Sequence, residues 1–500
     1  MKLLWSILVF AFACCACSVG VKRRLGIDPR DKSSVFDSSK NPYNVYSKIQ
    51  WAKGKLTSTQ LQTLAQKALD QGLPNAEQLA KVGTHGKYKG NIHRDLVSLF
   101  GVPSDAPSIR WYEIPTKRGP KTPHPFLLPT EFLTKLYAQA SSHHWQTILG
   151  GTQNTAGFFW SSLAHTDFVK KHPLISESRF PFIIPVGLHG DGGAFSNQEC
   201  INVLSWNSLL GCGDTIQTRF LFTLVKKSDV IEGTMNAVLE LFSKEMNTLA
   251  KAYQTNMLGS YSAVLAQVRG DWAFFTETFF FPTWNSGIRM CWMCEASNTL
   301  ENLLWTNCCL NSGWRETIFT NESFLAYAAA HGVMLPILLV LVIGFRLECF
   351  MVDSLHAVDI GFWCHVVGNV FWYLTVRKKV FGIGTQAEMI AKLWTNLTRW
   401  YNQTKCPYRL QSKLTDRNLR SQSGFPKLKA KAAQARKLAP YVLMLVNTYF
   451  SNDCDEERLM SVIVRCMNRY YEIVATGSQY LTFDEMAEMR KIGYTCFFFP

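Results

Sequence analysis

Four small groups of residues in this chain have the chemistry to act on a substrate or hold an ion. Asp191 lies in His189-Gly190-Asp191-Gly192-Gly193 and Asp271 in Arg269-Gly270-Asp271. Asp353 and His356 are three apart in Asp353-Ser354-Leu355-His356, and Cys291 and Cys294 form a CxxC. Carboxylates are hard oxygen ligands suited to Mg²⁺ or Mn²⁺. The two thiols are spaced for one edge of a tetrahedral Zn²⁺ site, with Cys308, Cys309 or His356 able to complete it. A pair of plain buried thiols fits that spacing equally well. Asp before Gly is also a common turn pair, so the position of each acid in the fold has to decide its role.

The surrounding pattern supplies positions. Phe182 to Leu188 is an apolar run that ends in the Gly-rich turn holding Asp191, and reads as a buried strand. Extended segments follow at Ile201 to Leu210 and Thr218 to Val225, separated by Gly211-Cys212-Gly213-Asp214. Met235, Val238, Leu239, Phe242, Met246, Leu249 and Ala250 mark one face of a helix over 234–252. A fourth strand, Tyr261 to Val268, leads into Asp271. The order strand, strand, strand, helix, strand predicts an α/β chain with a ribonuclease-H-like core. There the first and fourth strands are neighbours, so Asp191 and Asp271 can share divalent ions. Two ions roughly 4 Å apart stabilise the attacking and the leaving oxygen in phosphodiester cleavage and strand transfer.

Taken in order, these motifs resemble CACTA-type DDE transposases. Gln267-Val268-Arg269-Gly270-Asp271-Trp272 followed by Cys291-Trp292-Met293-Cys294 is similar to the second-acid region of that family, where a Gly-Asp pair precedes a CxxC. Asp353 and His356 match its D-x-x-H signature, and Asp191 its first acid. The resemblance covers residues 180–361. It implies catalytic roles for Asp191 and Asp271, bound Mg²⁺ or Mn²⁺, transposon-end DNA as partner, a homo-oligomer, and a nuclear location. No segment matches the family's third acid. Asp453, Asp455, Glu456 and Glu457 open the helical pattern Leu459 to Val474, where a helix N-terminus ordinarily favours acids. With the apolar end Cys496-Phe497-Phe498-Phe499-Pro500, the expectation is a truncated, inactive copy.

Charge points the same way. Lys plus Arg outnumber Asp plus Glu by 52 to 37, a net charge of +15, which favours an anionic partner, nucleic acid or membrane surface. Ten bases, Lys405, Arg409, Lys413, Arg417, Arg420, Lys427, Lys429, Lys431, Arg436 and Lys437, share their stretch with one acid, Asp416. They are candidate phosphate contacts, and Lys427 to Ala439 is helix-compatible.

The expected organisation is a signal-like apolar segment (1–20), a loosely packed polar N-terminal region (21–125) with short helices near Ser58 to Asp70 and Asn75 to Lys81, and a helical lead-in (126–179) with one helix from Thr130 to Leu149. The core (180–361) and a basic, largely helical C-terminal insertion region (362–500) follow. The 15 cysteines, irregularly spaced, argue against a disulfide scaffold. A rival reading takes Met1 to Gly20 as a secretory signal and the apolar run Phe324 to Phe345 as a membrane anchor, which makes a secreted or single-span protein with sequons at Asn321, Asn396 and Asn402. Otherwise that run is a buried strand and loop.

Overall fold

The computed structural model describes residues 58–71, 77–82, 92, 95, 107–138, 143–151, 154–194, 199–211, 218–283, 288–307, 311–420, 424–451, 453–477 and 481–498. The segment 1–20, Cys308, Cys309 and Pro500 lie outside them.

The chain is mixed α/β. A hairpin of β1 (Ile109–Thr116) and β2 (Gly119–Leu127) precedes a five-stranded sheet of β3 (Ile183–Ala194), β4 (Cys200–Ser208), β5 (Phe220–Lys226), β6 (Ser262–Arg269) and β7 (Phe350–Met351). The spatial order is β5-β4-β3-β6-β7. The first three strands form an antiparallel meander, while β6 and β7 run parallel to β3. Along central β3, Ile183, Ile184, Val186 and Leu188 are all buried, so the strand is covered on both faces of the sheet. The β5-to-β6 connection crosses the sheet through α1 (Thr234–Ala250), whose Met235, Val238, Leu239, Phe242, Met246 and Leu249 are buried. The predicted stripe is therefore the packed one, with Phe242 edge-on to Phe222 of β5 at 5.2 Å.

Several expectations change. The Gly-rich segment after Leu188 is not a turn: β3 continues to Ala194 and pairs Asp191 with Val203. The glycines disguise a strand because they pack no side chains, yet their backbones still join the ladder. Ile109 to Leu127, read mostly as loosely packed, is the β1–β2 hairpin. Pro120, Pro123 and Pro125 hid β2, which docks on β5 where Thr223 Oγ1 donates to the Pro125 carbonyl at 2.8 Å and meets His124 Nε2 at 2.8 Å. The helix expected over 130–149 divides into Pro129–Ala138 and His143–Ile148. The apolar run 324–345 forms Asn321–His331, stopped by left-handed Gly332, and after Pro336 the short Ile337–Leu341. It is not a strand, and among the described residues no helix is long and apolar enough to cross a membrane.

After β7 the chain enters a π-helical turn, Leu355–Phe362, continuous with α2 (Trp363–Trp372). With α3 (Gln386–Thr404), α4 (Ala439–Tyr449), α5 (Asp455–Thr476) and α6 (Phe483–Phe498), these form the expected helical C-terminal region. It has a core of its own, in which Trp363, Leu393, Tyr401, Tyr441, Leu445 and Met467 are buried.

Three histidines, His172, His189 and His365, are held neutral by burial, each with its pKa lowered to about 4. The unfolded chain protonates these rings from about pH 6.5 downward, whereas the folded chain resists until about pH 4. Stability must therefore fall as the pH drops through that window. Urea midpoints measured between pH 7 and pH 4 are expected to decline. His172→Asn should reduce the slope by about one proton; an unchanged slope would remove the buried neutral ring from the account.

Candidate functional site

The acids are positioned by a close approach of two backbones. An added Cβ at Gly190 would lie 1.9 Å from Phe274 Cζ, and one at Gly270 would lie 2.8 Å from the Gly190 carbonyl and 2.3 Å from Phe274 Cδ1. The two glycines thus let the ends of β3 and β6 converge with the buried Phe274 ring wedged against both. Asp271 follows β6 and caps the helix Trp272–Phe279, its Oδ1 accepting the Phe274 N–H at 2.7 Å. The residue that fills the glycine gap is therefore the one whose amide anchors the acid. Asp191, on the adjacent parallel strand, is exposed.

Asp191 and Asp271 are close enough to sense each other. The Asp191 carboxyl is pushed above its usual range, first by burial and then by the charge of Asp271. Asp353, just beyond β7, adds in the same direction, while His356 and the Gly192 amide oppose it. His356 Nδ1 bonds to Asp353 Oδ2, and Asp353 Oδ1 accepts the Leu355 N–H at 2.8 Å. That bond raises the His356 pKa, with further help from Asp271 and Asp191. Three parallel strands, β3, β6 and β7, thus deliver Asp191, Asp271 and the Asp353–His356 pair to one end of the sheet.

A second group, not anticipated from sequence, lies beside these acids. His189 precedes Asp191 by two on β3 and pairs in register with Arg269 of β6. Arg269 Nη2 bonds to Asn207 Oδ1 of β4, and Arg219 lies just before β5 and feels the charge of Asp191. The period-two spacing of Gly187, His189 and Asp191 is the signal that one sheet face is polar, but it shows only once β3 is extended through the glycines.

The remaining candidates are placed elsewhere. Cys291 and Cys294 are buried, their Sγ atoms accepting the amides of Met293 at 3.0 Å and Ala296 at 3.2 Å. Among the described residues no group of three or more His, Cys, Asp or Glu is disposed to hold a metal ion. Glu457 is buried and accepts from Tyr373, from Lys378 at 2.7 Å and from the Ser451 amide; Glu456 pairs with Arg377 at 2.6 Å. Both serve the helical region.

The ten bases do not form one continuous free surface. Arg436 turns inward to Asp359, Arg420 lies 4.1 Å over the Trp372 ring and pairs with Asp416, and Arg409 donates to the Tyr401 and Cys406 carbonyls and to Asn402. Lys427 is half-buried, whereas Lys405, Lys413, Arg417, Lys429, Lys431 and Lys437 are exposed. The expected helix from Lys427 to Ala439 is confined to Ala432–Lys437, with extended chain before it. A cavity of about 210 Å³ opens between Leu410–Asn418 and Lys429–Gln434.

No family model matches this chain, and no curated protein matches it.

The glycine gap makes a direct prediction. Gly190→Ala should destabilise the fold by about 1–3 kcal/mol through overpacking against Phe274. Gly193→Ala, where an added Cβ meets nothing within 4 Å, should be close to neutral. Guanidinium denaturation of both variants provides the comparison, and equal midpoints would show that the wedge is not tight.

Proposed function

We propose that this chain is a transposase-like DNA-binding protein of the DDE cut-and-paste lineage, built on a ribonuclease-H-like core, that retains the acid pair but cleaves DNA poorly. The observation that carries the reading is the placement of Asp191 on the central strand and Asp271 directly after its parallel neighbour, in a sheet ordered β5-β4-β3-β6-β7. This is the arrangement that the resemblance to CACTA-type transposases implies, and the Asp353–His356 pair, which matches the D-x-x-H signature in sequence, falls just beyond the next parallel strand.

The donor set suits a loosely held Mg²⁺ or Mn²⁺. Magnesium is commonly bound by one or two carboxylates, with water and phosphate oxygens filling the other positions. Burial and, after it, the charge of Asp271 raise the Asp191 pKa, and the second of these is of the kind a divalent cation relieves. Asp191 and Asp271 would be the ligands, and the cation would supply charge stabilisation at a phosphodiester. Asp271 spends Oδ1 on its helix cap, leaving Oδ2 for an ion. Asp353 is committed to His356 and to the Leu355 amide. A cage this sparse positions the ion poorly, and a misplacement of about 1 Å can cost on the order of a hundredfold in rate. Zn²⁺ at Cys291 and Cys294 is a separate, structural assignment.

Mn²⁺ titration followed by electron paramagnetic resonance should show binding weakened at least about tenfold by Asp191→Asn or Asp271→Asn, with Mg²⁺-dependent nuclease and strand-transfer activity near background in the parent chain. Unaltered Mn²⁺ affinity in both variants would dispose of the acid site. Duplex DNA binding should weaken steeply with salt, and combined charge reversal at Lys413, Arg417, Lys429 and Lys431 should flatten that dependence by about four phosphate contacts. A salt slope that survives the reversal would place the DNA footprint elsewhere.

A further inference from the structure

The polar face beside the acids contains two half-buried arginines whose enclosed Nε atoms the fold leaves without a partner. Arg219 Nε and Arg269 Nε are both buried with no hydrogen-bond partner. Among the described residues neither arginine has a carboxylate in ion-pair contact; Arg269 has the neutral Asn207 amide oxygen, and Arg219 only the more distant charge of Asp191. Arg219 lies near enough for its charge to act on Arg269. Two like charges, each with its Nε shut off from water, thus lie near each other without an ion-pair partner, an arrangement that costs stability unless an anion joins them. The sheet also makes room for them. An added Cβ at Gly187 would fall 2.5 Å from Arg269 Nη2, so the guanidinium lies directly over a glycine of the central strand. The neighbouring His189 carries no negative charge in either protonation state and so cannot balance them.

We propose that Arg219 and Arg269, with Asn207, form an anion subsite on the face of β3 that holds one phosphate of a nucleic-acid backbone beside Asp191. A guanidinium offers several N–H donors in a planar fork that matches phosphate oxygens, and two forks sharing one phosphate satisfy both orphaned donors and cancel their mutual repulsion. Asp191, at the exposed end of the same strand face, keeps the anion on the arginine side. A phosphate held there leaves the adjoining phosphodiester directed toward Asp191 and Asp271. The subsite specifies the substrate chemistry of the acid site and so rests on that reading, but phosphate binding to arginine needs no metal and can be measured without one.

The experiment uses the full chain in EDTA. Affinity for a short fluorescein-labelled single-stranded DNA is measured by anisotropy for the parent, Arg219→Gln, Arg219→Lys and Lys170→Gln, the last removing one exposed charge in the helix Asp167–Lys171. A second arm measures protection against thermal unfolding by inorganic phosphate. Arg219→Gln is expected to lose about tenfold in DNA affinity, the scale of one charge-assisted hydrogen bond, with Arg219→Lys intermediate and Lys170→Gln nearly unchanged. Phosphate should protect the parent more than Arg219→Gln. Circular dichroism establishes that the variants are folded, and Arg219, less enclosed than Arg269, is the site chosen to keep them so. Equal DNA affinity for folded Arg219→Gln and parent overturns the proposal, as does protection by free phosphate with no change in DNA affinity. Because no metal is present, failure of the acid site in the Mn²⁺ titration leaves this result readable, and the converse holds.

Discussion

The site depends on how closely the backbones of β3 and β6 can approach at Gly190 and Gly270. A side chain at either position would collide with Phe274, and Phe274 cannot retreat, because its ring is buried and its amide is held by Asp271. The constraint closes on itself. The acid fixes the first turn of the helix, the helix fixes the ring, the ring requires both glycines, and the glycines set the separation of the strands that carry the two acids. Neither glycine has a positive φ, so close approach and not backbone freedom accounts for them.

Around that gap the charges are arranged by strand. Acids and His356 gather at the end of the three parallel strands, while Arg219 and Arg269 lie on the adjoining polar face toward the meander. A half-buried sheet face that encloses arginine Nε atoms without carboxylate partners gains nothing for packing from the charges, a purpose that apolar residues would serve better. Their presence next to exposed Asp191 is more simply understood as preorganisation for an anion than as a stability device.

Much of this was legible in the sequence because the decisive elements are periodic. The α1 stripe, the apolar β3 and β6 runs and the order of elements all follow from burial on defined faces. The reading broke down where side chains are absent or unusual. Gly190, Gly192 and Gly193 imitate a turn, and the prolines of β2 imitate a loop, although both segments are strands. Arg436 illustrates a different limit. In sequence it belongs to a run of bases, yet in space it answers Asp359, far away in the chain, and composition cannot reveal that a charge has a buried partner.

That pairing also holds the helical region together where it follows the sheet. Asp359, in the π-helical turn that begins at Leu355, receives Arg436 on Oδ2 and the Tyr471 hydroxyl on Oδ1 at 3.0 Å, and Trp363 Nε1 donates to the Ala435 carbonyl at 2.7 Å. Burial pushes the Asp359 carboxyl upward, and Arg436 and Tyr471 only partly offset it, so the pair is costly to assemble for stability alone. Its effect is positional. π-Helical turns are rare and recur at functional sites. Here one carries His356 near its start and Asp359 three residues later, so the same short element meets both the acids of the sheet and the basic segment. The Asp359 contacts fix this element against the segment that carries Arg436, as the Asp353 contact fixes His356 beside the sheet.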